Sequence, residues 1–60
     1  MYTIFKSTLD CDRAIEQYQL KEQAIARMEY LAMSQSYMDE YTTGFYVESG
    51  DLVRIAEWEV

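Results

Sequence analysis

Sixty residues, half of them hydrophobic and 15% aromatic, suffice for one small domain (residues 1–60) and are too apolar for a disordered tail. The formal net charge of −6 argues against direct nucleic-acid binding, which needs clustered Lys and Arg. With no histidine and one cysteine, the sequence offers neither an internal disulfide nor the usual zinc ligands. Since no apolar run approaches the roughly 18 residues of a membrane span and the N-terminus lacks a signal-peptide pattern, we expect a cytoplasmic protein that does not bind membranes.

The first β pattern is Tyr2–Phe5, which is dense in β-branched and aromatic residues. The next stretch, residues 8–19, could be a second strand or the beginning of a helix that runs on to Tyr41. In one continuous helix, the apolar residues of this stretch would lie about 120° from those that follow, so no single face would stay buried. We therefore favour a first hairpin, in which residues 2–7 pair with about 13–19.

The longest helical pattern runs from Leu20 to Met38 and consists mainly of strong helix formers. At 100° per residue, one face gathers the side chains that we expect to cover a sheet: Leu20, Ala24, Ile25, Met28, Leu31, Ala32 and Met38. A second face, about 160° away, carries Ala26 and what we name the Tyr/Met stripe: Tyr30, Met33, Tyr37 and Tyr41. Interfaces are enriched in Tyr and Met, so we interpret the stripe as partner-binding. The alternative is that the helix ends near residues 34–36 and the tyrosines fold back over the sheet.

The C-terminal third predicts a hairpin, with strands over residues 43–48 and 52–60. Between them, Gly50 can adopt a positive φ at no steric cost, as such turns require. Phe45 and Val47 share one face of the first strand, which we expect to contact the core. The predicted fold is α+β, a small antiparallel sheet with one long helix packed on it, in the order ββαββ. The alternative, if residues 8–19 are helical, is βαββ.

Acidic residues are concentrated in the C-terminal half. Residues 1–34 carry four basic and five acidic side chains, for a net −1, whereas residues 35–60 carry one basic and six acidic, for a net −5. Such a surface suits a basic surface on another protein, although negative charge also simply keeps a small protein soluble. We select Asp39, Glu40 and Asp51, together with the Tyr/Met stripe, as candidate partner-binding residues.

No motif in the sequence indicates catalysis. Without histidine the commonest general base is missing, and the two glycines do not form a phosphate-binding loop. Cys11 has only Arg13 as a basic neighbour in the sequence, which is too little to mark a nucleophile. We expect a protein without enzyme activity and without a metal or cofactor.

A first strand, a short second strand, a helix that opens KEQAIARMEYLA and an acidic C-terminal strand pattern resemble small phage-encoded host-takeover proteins, among them podoviral inhibitors of bacterial RNA polymerase. The resemblance is one of layout, and it implies an acidic surface presented by a small sheet and one helix. Two functions follow. The first is a non-enzymatic inhibitor or adaptor that docks on a basic surface of a host enzyme. The alternative is a structural homodimer whose Tyr/Met stripe pairs with its own copy.

Overall fold

The computed structural model describes residues 1–34 and 41–59, whose elements follow the order strand, strand, helix, strand, strand. The elements are β1 (Tyr2–Thr8), β2 (Asp12–Tyr18), α1 (Lys21–Met33), β3 (Thr42–Glu48) and β4 (Arg54–Glu59). Antiparallel pairs place the strands in the spatial order β2-β1-β3-β4. The predicted class, an α+β fold with one helix and a small antiparallel sheet, is confirmed. The described elements also fit the preferred order, because β2 is a strand where the alternative required a helix.

The core lies between α1 and one face of the sheet, which we call the covered face. The buried hydrophobic side chains that form it are Ile4 from β1, Phe45 and Val47 from β3, and Ala24, Met28, Leu31 and Ala32 from α1. All four helix residues belong to the apolar face predicted from the sequence, and Phe45 and Val47 share a face as predicted. Burying one large aliphatic side chain of this kind contributes about 1.5–3 kcal/mol to folding.

α1 is shorter than the predicted helix at both ends. It begins at Lys21 without a side-chain cap, since the side chain of Leu20 cannot accept a hydrogen bond, and Leu20 is exposed rather than part of the core. It ends at Met33, because Ser34 is extended (φ −94°, ψ 122°) while its N–H donates to the carbonyl of Leu31. The sequence at this end, Ser-Gln-Ser, is a weak helix former because serine competes for backbone hydrogen bonds. The prediction that the helix runs on to Met38 is therefore wrong, and Met38 itself lies outside the described residues.

The β3–β4 turn differs from the prediction in which residue takes the left-handed conformation. Leu52 has a φ of 63°, whereas neither glycine has a positive φ. The prediction that Gly50 adopts a positive φ in this turn is therefore wrong. Two hydrogen bonds close the turn, from the N–H of Ser49 to the carbonyl of Val53 and from the N–H of Leu52 to the carbonyl of Ser49. β4 accordingly begins at Arg54, two residues later than predicted.

Both edges of the sheet are protected against pairing with another strand. The pairing register shifts within β1–β2 and within β3–β4, which places an irregularity on each edge strand. The edge strands also carry charged side chains, as natural proteins often do where a strand edge is exposed. In the part of the chain that the structure describes, the helix is too short and too polar to cross a membrane.

Candidate interaction surface

The face of the sheet opposite α1 is the first candidate surface, and we call it the open face. Phe5, Tyr46 and Glu57 are register partners across β1, β3 and β4. They alternate with the residues that α1 buries, so their side chains lie on the opposite side of the sheet. No helix of the described residues packs over this face.

Tyr46 occupies the centre of the open face and is nevertheless only 6% exposed. The ring of Phe5 stacks on it from β1, with centroids 4.9 Å apart and planes inclined by 12°. From β4, the guanidinium carbon of Arg54 lies 3.9 Å from the Tyr46 ring centroid. The Tyr46 hydroxyl donates a 2.7 Å hydrogen bond to Oδ2 of Asp12 on β2. Burial first, and then the bond to Asp12, raise the pKa of Tyr46 to about 12.

Carboxylates surround this aromatic centre. Arg54 donates from Nη1 to Oε2 of Glu57 at 3.2 Å, and this bond raises the pKa of the guanidinium. The register places Glu48 and Glu59 on the same side as Tyr46. We define the acidic open face as Asp12, Glu48, Glu57 and Glu59 around the Phe5–Tyr46–Arg54 layer. Four carboxylates against one guanidinium give these side chains a net charge of −3.

A groove of about 290 Å³ crosses the acidic open face above Gly44, between Ser7, Tyr46, Glu57 and Glu59. Gly44 pairs with Ser7 on one side and with Glu59 on the other. A Cβ at this position would lie 2.4 Å from the carbonyl oxygen of Trp58, so only glycine allows β4 to approach this closely. The groove exists because this central position carries no side chain.

The outer surface of α1 is the second candidate. Tyr30 and Met33 are 60% and 81% exposed, and the Arg27 guanidinium lies 5.1 Å from the Tyr30 ring centroid. Arg27 also forms a two-point ion pair with Glu16 on β2, at 3.0 and 3.2 Å, while the Tyr18 hydroxyl donates to Glu16 at 2.6 Å. The bond from Arg27 is the main reason why the pKa of Glu16 is lowered. This network ties the helix to an edge strand.

The Tyr/Met stripe is not one helical surface in the described residues. Tyr30 and Met33 lie on α1, whereas Tyr41 is exposed just before β3 and lines a second groove, of about 440 Å³, with Lys6 and Arg13. The remaining sequence-selected residues divide as follows: Asp51 is exposed in the β3–β4 turn, and Tyr37, Asp39 and Glu40 lie outside the described residues.

The structure also separates the exposed side chains of α1 from the acidic open face. Tyr30 and Met33 lie on the helix, on one side of the sheet, whereas Glu57 and Glu59 lie on the other side. A single flat surface of a partner therefore cannot contact the α1 side chains and these carboxylates at the same time. The Tyr46-centred layer was not predicted from the sequence. Its one available signal was the alternation that places Tyr46 opposite Phe45 and Val47.

The chemistry of these surfaces is that of charge and aromatic contact. Within residues 1–34 and 41–59, no group of three or more His, Cys, Asp or Glu side chains is arranged to hold a metal ion. Cys11 is a free, exposed thiol. A scan against protein-family models and searches of curated proteins and of solved structures found no match to this chain.

Proposed function

We propose that this protein is a protein-binding module that docks on a positively charged surface of another protein. The observation that carries the proposal is the set of carboxylates on the β3–β4 hairpin, Glu48, Asp51, Glu57 and Glu59. The hairpin has one cation, Arg54, which is already engaged by Glu57 and by the ring of Tyr46. The hairpin therefore presents an excess of negative charge to whatever approaches it.

Charge complementarity gives such a surface its partner class. Opposite potentials steer two proteins together and disfavour partners of like charge, and they act over about 8 Å at physiological salt. The formal net charge of −6 repels nucleic acids and acidic proteins, and it attracts a basic protein surface, including one that otherwise holds phosphates.

The role that we propose is that of a non-enzymatic inhibitor or adaptor acting in the cytoplasm on a host enzyme. Its support is the resemblance in layout to small phage-encoded host-takeover proteins. A second candidate function, a structural homodimer, is favoured by a different observation. Tyr30 and Met33 are large apolar side chains on the outside of α1, and interfaces are enriched in both residue types.

The test compares three forms of the protein as baits in a bacterial lysate at rising salt. The hairpin variant is Glu48→Gln, Asp51→Asn and Glu57→Gln. The matched control is Asp10→Asn, Glu22→Gln and Glu29→Gln, which removes the same charge from exposed positions elsewhere. We expect one protein to be held by the wild type and by the control, and to be lost both from the hairpin variant and at high salt. Equal capture by all three forms, or no capture by any, would contradict the proposal.

A further inference from the structure

The open face already binds one guanidinium. That of Arg54 lies against the ring of Tyr46 and donates to a single oxygen, Oε2, of Glu57. An aromatic face combined with a carboxylate is a favourable environment for arginine, because the planar guanidinium stacks and donates hydrogen bonds at the same time. A carboxylate has two oxygens, so Glu57 has the capacity to accept a second donor.

Both members of this pair, Arg54 and Glu57, belong to the lining of the groove above Gly44. At about 290 Å³ the groove lies just below the range of small-molecule pockets, and its size suits one side chain rather than a cofactor. Its lining combines the hydroxyl of Ser7 with the carboxylates of Glu57 and Glu59, which are acceptors on two sides of the groove. The floor is backbone, because residue 44 cannot carry a Cβ.

From this geometry we infer that the groove receives an arginine side chain of the partner protein, held by Glu57 and Glu59. The inference rests on the proposed function, since it names the contact through which the acidic hairpin recognises a basic surface. With its net charge of −3, the acidic open face tolerates a second guanidinium beside Arg54. Arginine fits better than lysine because its five donors, arranged in a fork, reach acceptors on both walls at once.

The experiment follows the amide resonances of the ¹⁵N-labelled full chain while a peptide is added. The probe is acetyl-Gly-Ser-Arg-Ser-Gly-amide, and its control is the same peptide with citrulline, which keeps the shape of arginine and removes its charge. We expect saturable shifts centred on Ser7, Gly44 and Glu57 with the arginine peptide. The citrulline peptide should bind more weakly by a factor of about ten or more. Equal binding of the two peptides, no binding of the arginine peptide, or shifts centred on α1 would overturn the inference.

Matched variants assign the binding to the two carboxylates. Glu57→Gln with Glu59→Gln should weaken binding of the arginine peptide by about tenfold or more, whereas Glu22→Gln with Glu29→Gln, on exposed helix positions, should change it less than twofold. Because Glu57 also holds Arg54, Glu59→Gln alone serves as a second variant that leaves that pair intact. Equal loss of affinity in the helix variant would reduce the effect to net charge and would overturn the groove assignment.

Two further comparisons separate this inference from its alternatives. Free L-arginine has the same net charge as the blocked peptide, because its α-ammonium offsets its carboxylate, but it lacks the flanking residues that would contact the surrounding face. It should therefore bind more weakly than the peptide, and tighter binding of the free amino acid would assign the groove to a small molecule instead. In the lysate experiment, a partner lost from the hairpin variant but retained by the Glu57/Glu59 variant would preserve the proposed function and refute the groove. Peptide binding without hairpin-dependent capture would refute the proposed function alone.

Discussion

The two faces of this sheet exclude water by different means. On the covered face, Ile4, Phe45 and Val47 are buried beneath a helix, and the contacts are apolar. On the open face, Tyr46 is almost as well buried without a helix, because Phe5 and Arg54 cover its ring from neighbouring strands. The core of the covered face is apolar, whereas on the open face a charged side chain, Arg54, helps to cover the ring of Tyr46. The open face has an excess of carboxylates at its perimeter, where a partner can reach them.

This difference divides stability from recognition. The covered face supplies most of the apolar burial on which a 60-residue domain depends, so its residues have little freedom to change. The carboxylates of the open face surround a packed aromatic layer that α1 does not cover. Substitutions on the two faces should therefore have different consequences.

Leu31→Ala should have the largest effect, because Leu31 is completely buried in the core between α1 and the covered face. Truncating a buried leucine leaves a cavity and costs about 2–5 kcal/mol, which is a large part of the stability of a small domain. Urea unfolding monitored by circular dichroism measures the loss. The control is Leu9→Ala, the same substitution at an exposed position, which should change stability by less than about 0.5 kcal/mol. Equal stability of the two variants would show that α1 does not seal the core.

Gly44→Ala should have the next largest effect, and it tests the close approach of β4 to β3. The added methyl group would meet the backbone oxygen of Trp58 at 2.4 Å, so β3 and β4 must separate, at a cost of about 1–3 kcal/mol. Gly50→Ala is the matched control, since its nearest neighbours would lie 3.6 Å away in ordinary contact. Thermal unfolding should show a lowered midpoint for Gly44→Ala alone, and a tolerated Gly44→Ala would mean that the strands do not approach as described.

The sequence predicted the covered face well, because that face depends on local periodicity. Ala24, Met28 and Leu31 recur at helical spacing, and Phe45 and Val47 alternate along one strand. The errors lie where two local preferences compete. At Ser34 the periodicity of the helix continued while the propensity of the residues declined, and in the β3–β4 turn Leu52 rather than the neighbouring glycine took the positive φ.

The open face could not have been predicted in the same way. Its central layer joins Phe5, Tyr46 and Arg54 from three strands, with Asp12 from the fourth, and those strands meet only through the order β2-β1-β3-β4. Alternation shows which residues share a face of one strand, but not which strand lies beside it. The groove also depends on Gly44, which has no side chain to keep the backbone of β4 away.

Tyr46→Phe should have a moderate effect, because it removes the hydroxyl bonded to Asp12 and leaves the stacked ring in place. We expect a loss of about 1 kcal/mol in urea unfolding.

The raised pKa of Tyr46 adds a pH dependence with a definite sign. A tyrosine that holds its proton more tightly when folded stabilises the protein below its ordinary pKa near 10, and that stabilisation is lost as the pH rises towards 12. The wild type should lose this increment over that range, and Tyr46→Phe should not; parallel pH profiles would contradict the burial of the hydroxyl.

Glu16→Gln tests the ion pair that links β2 to α1 and should have a smaller effect. The Glu16–Arg27 pair is partly exposed, so we expect a loss of about 0.2–1 kcal/mol at neutral pH, decreasing with added salt. Because the pKa of Glu16 is lowered in the folded protein, its contribution is present above the ordinary carboxyl pKa and is lost as the pH falls through the lowered value. Unfolding curves of wild type and variant should therefore converge in acid. A difference that persists there would assign the effect to packing.

The double variant Tyr30→Gln with Met33→Gln should have the smallest effect on stability and is the one that decides between the two functions. Both side chains are exposed on the outside of α1, so we expect the free energy of unfolding to change by about 0.5 kcal/mol or less. Because the acidic open face lies on the other side of the sheet, capture of the partner by the β3–β4 hairpin should also be unchanged.

Sedimentation equilibrium of the wild type and the variant tests the homodimer instead. A wild-type dimer that becomes a monomer on this substitution would assign the protein's contact surface to α1 and favour the structural homodimer. Identical sedimentation and identical capture would leave the hairpin carboxylates as the surface that recognises the partner.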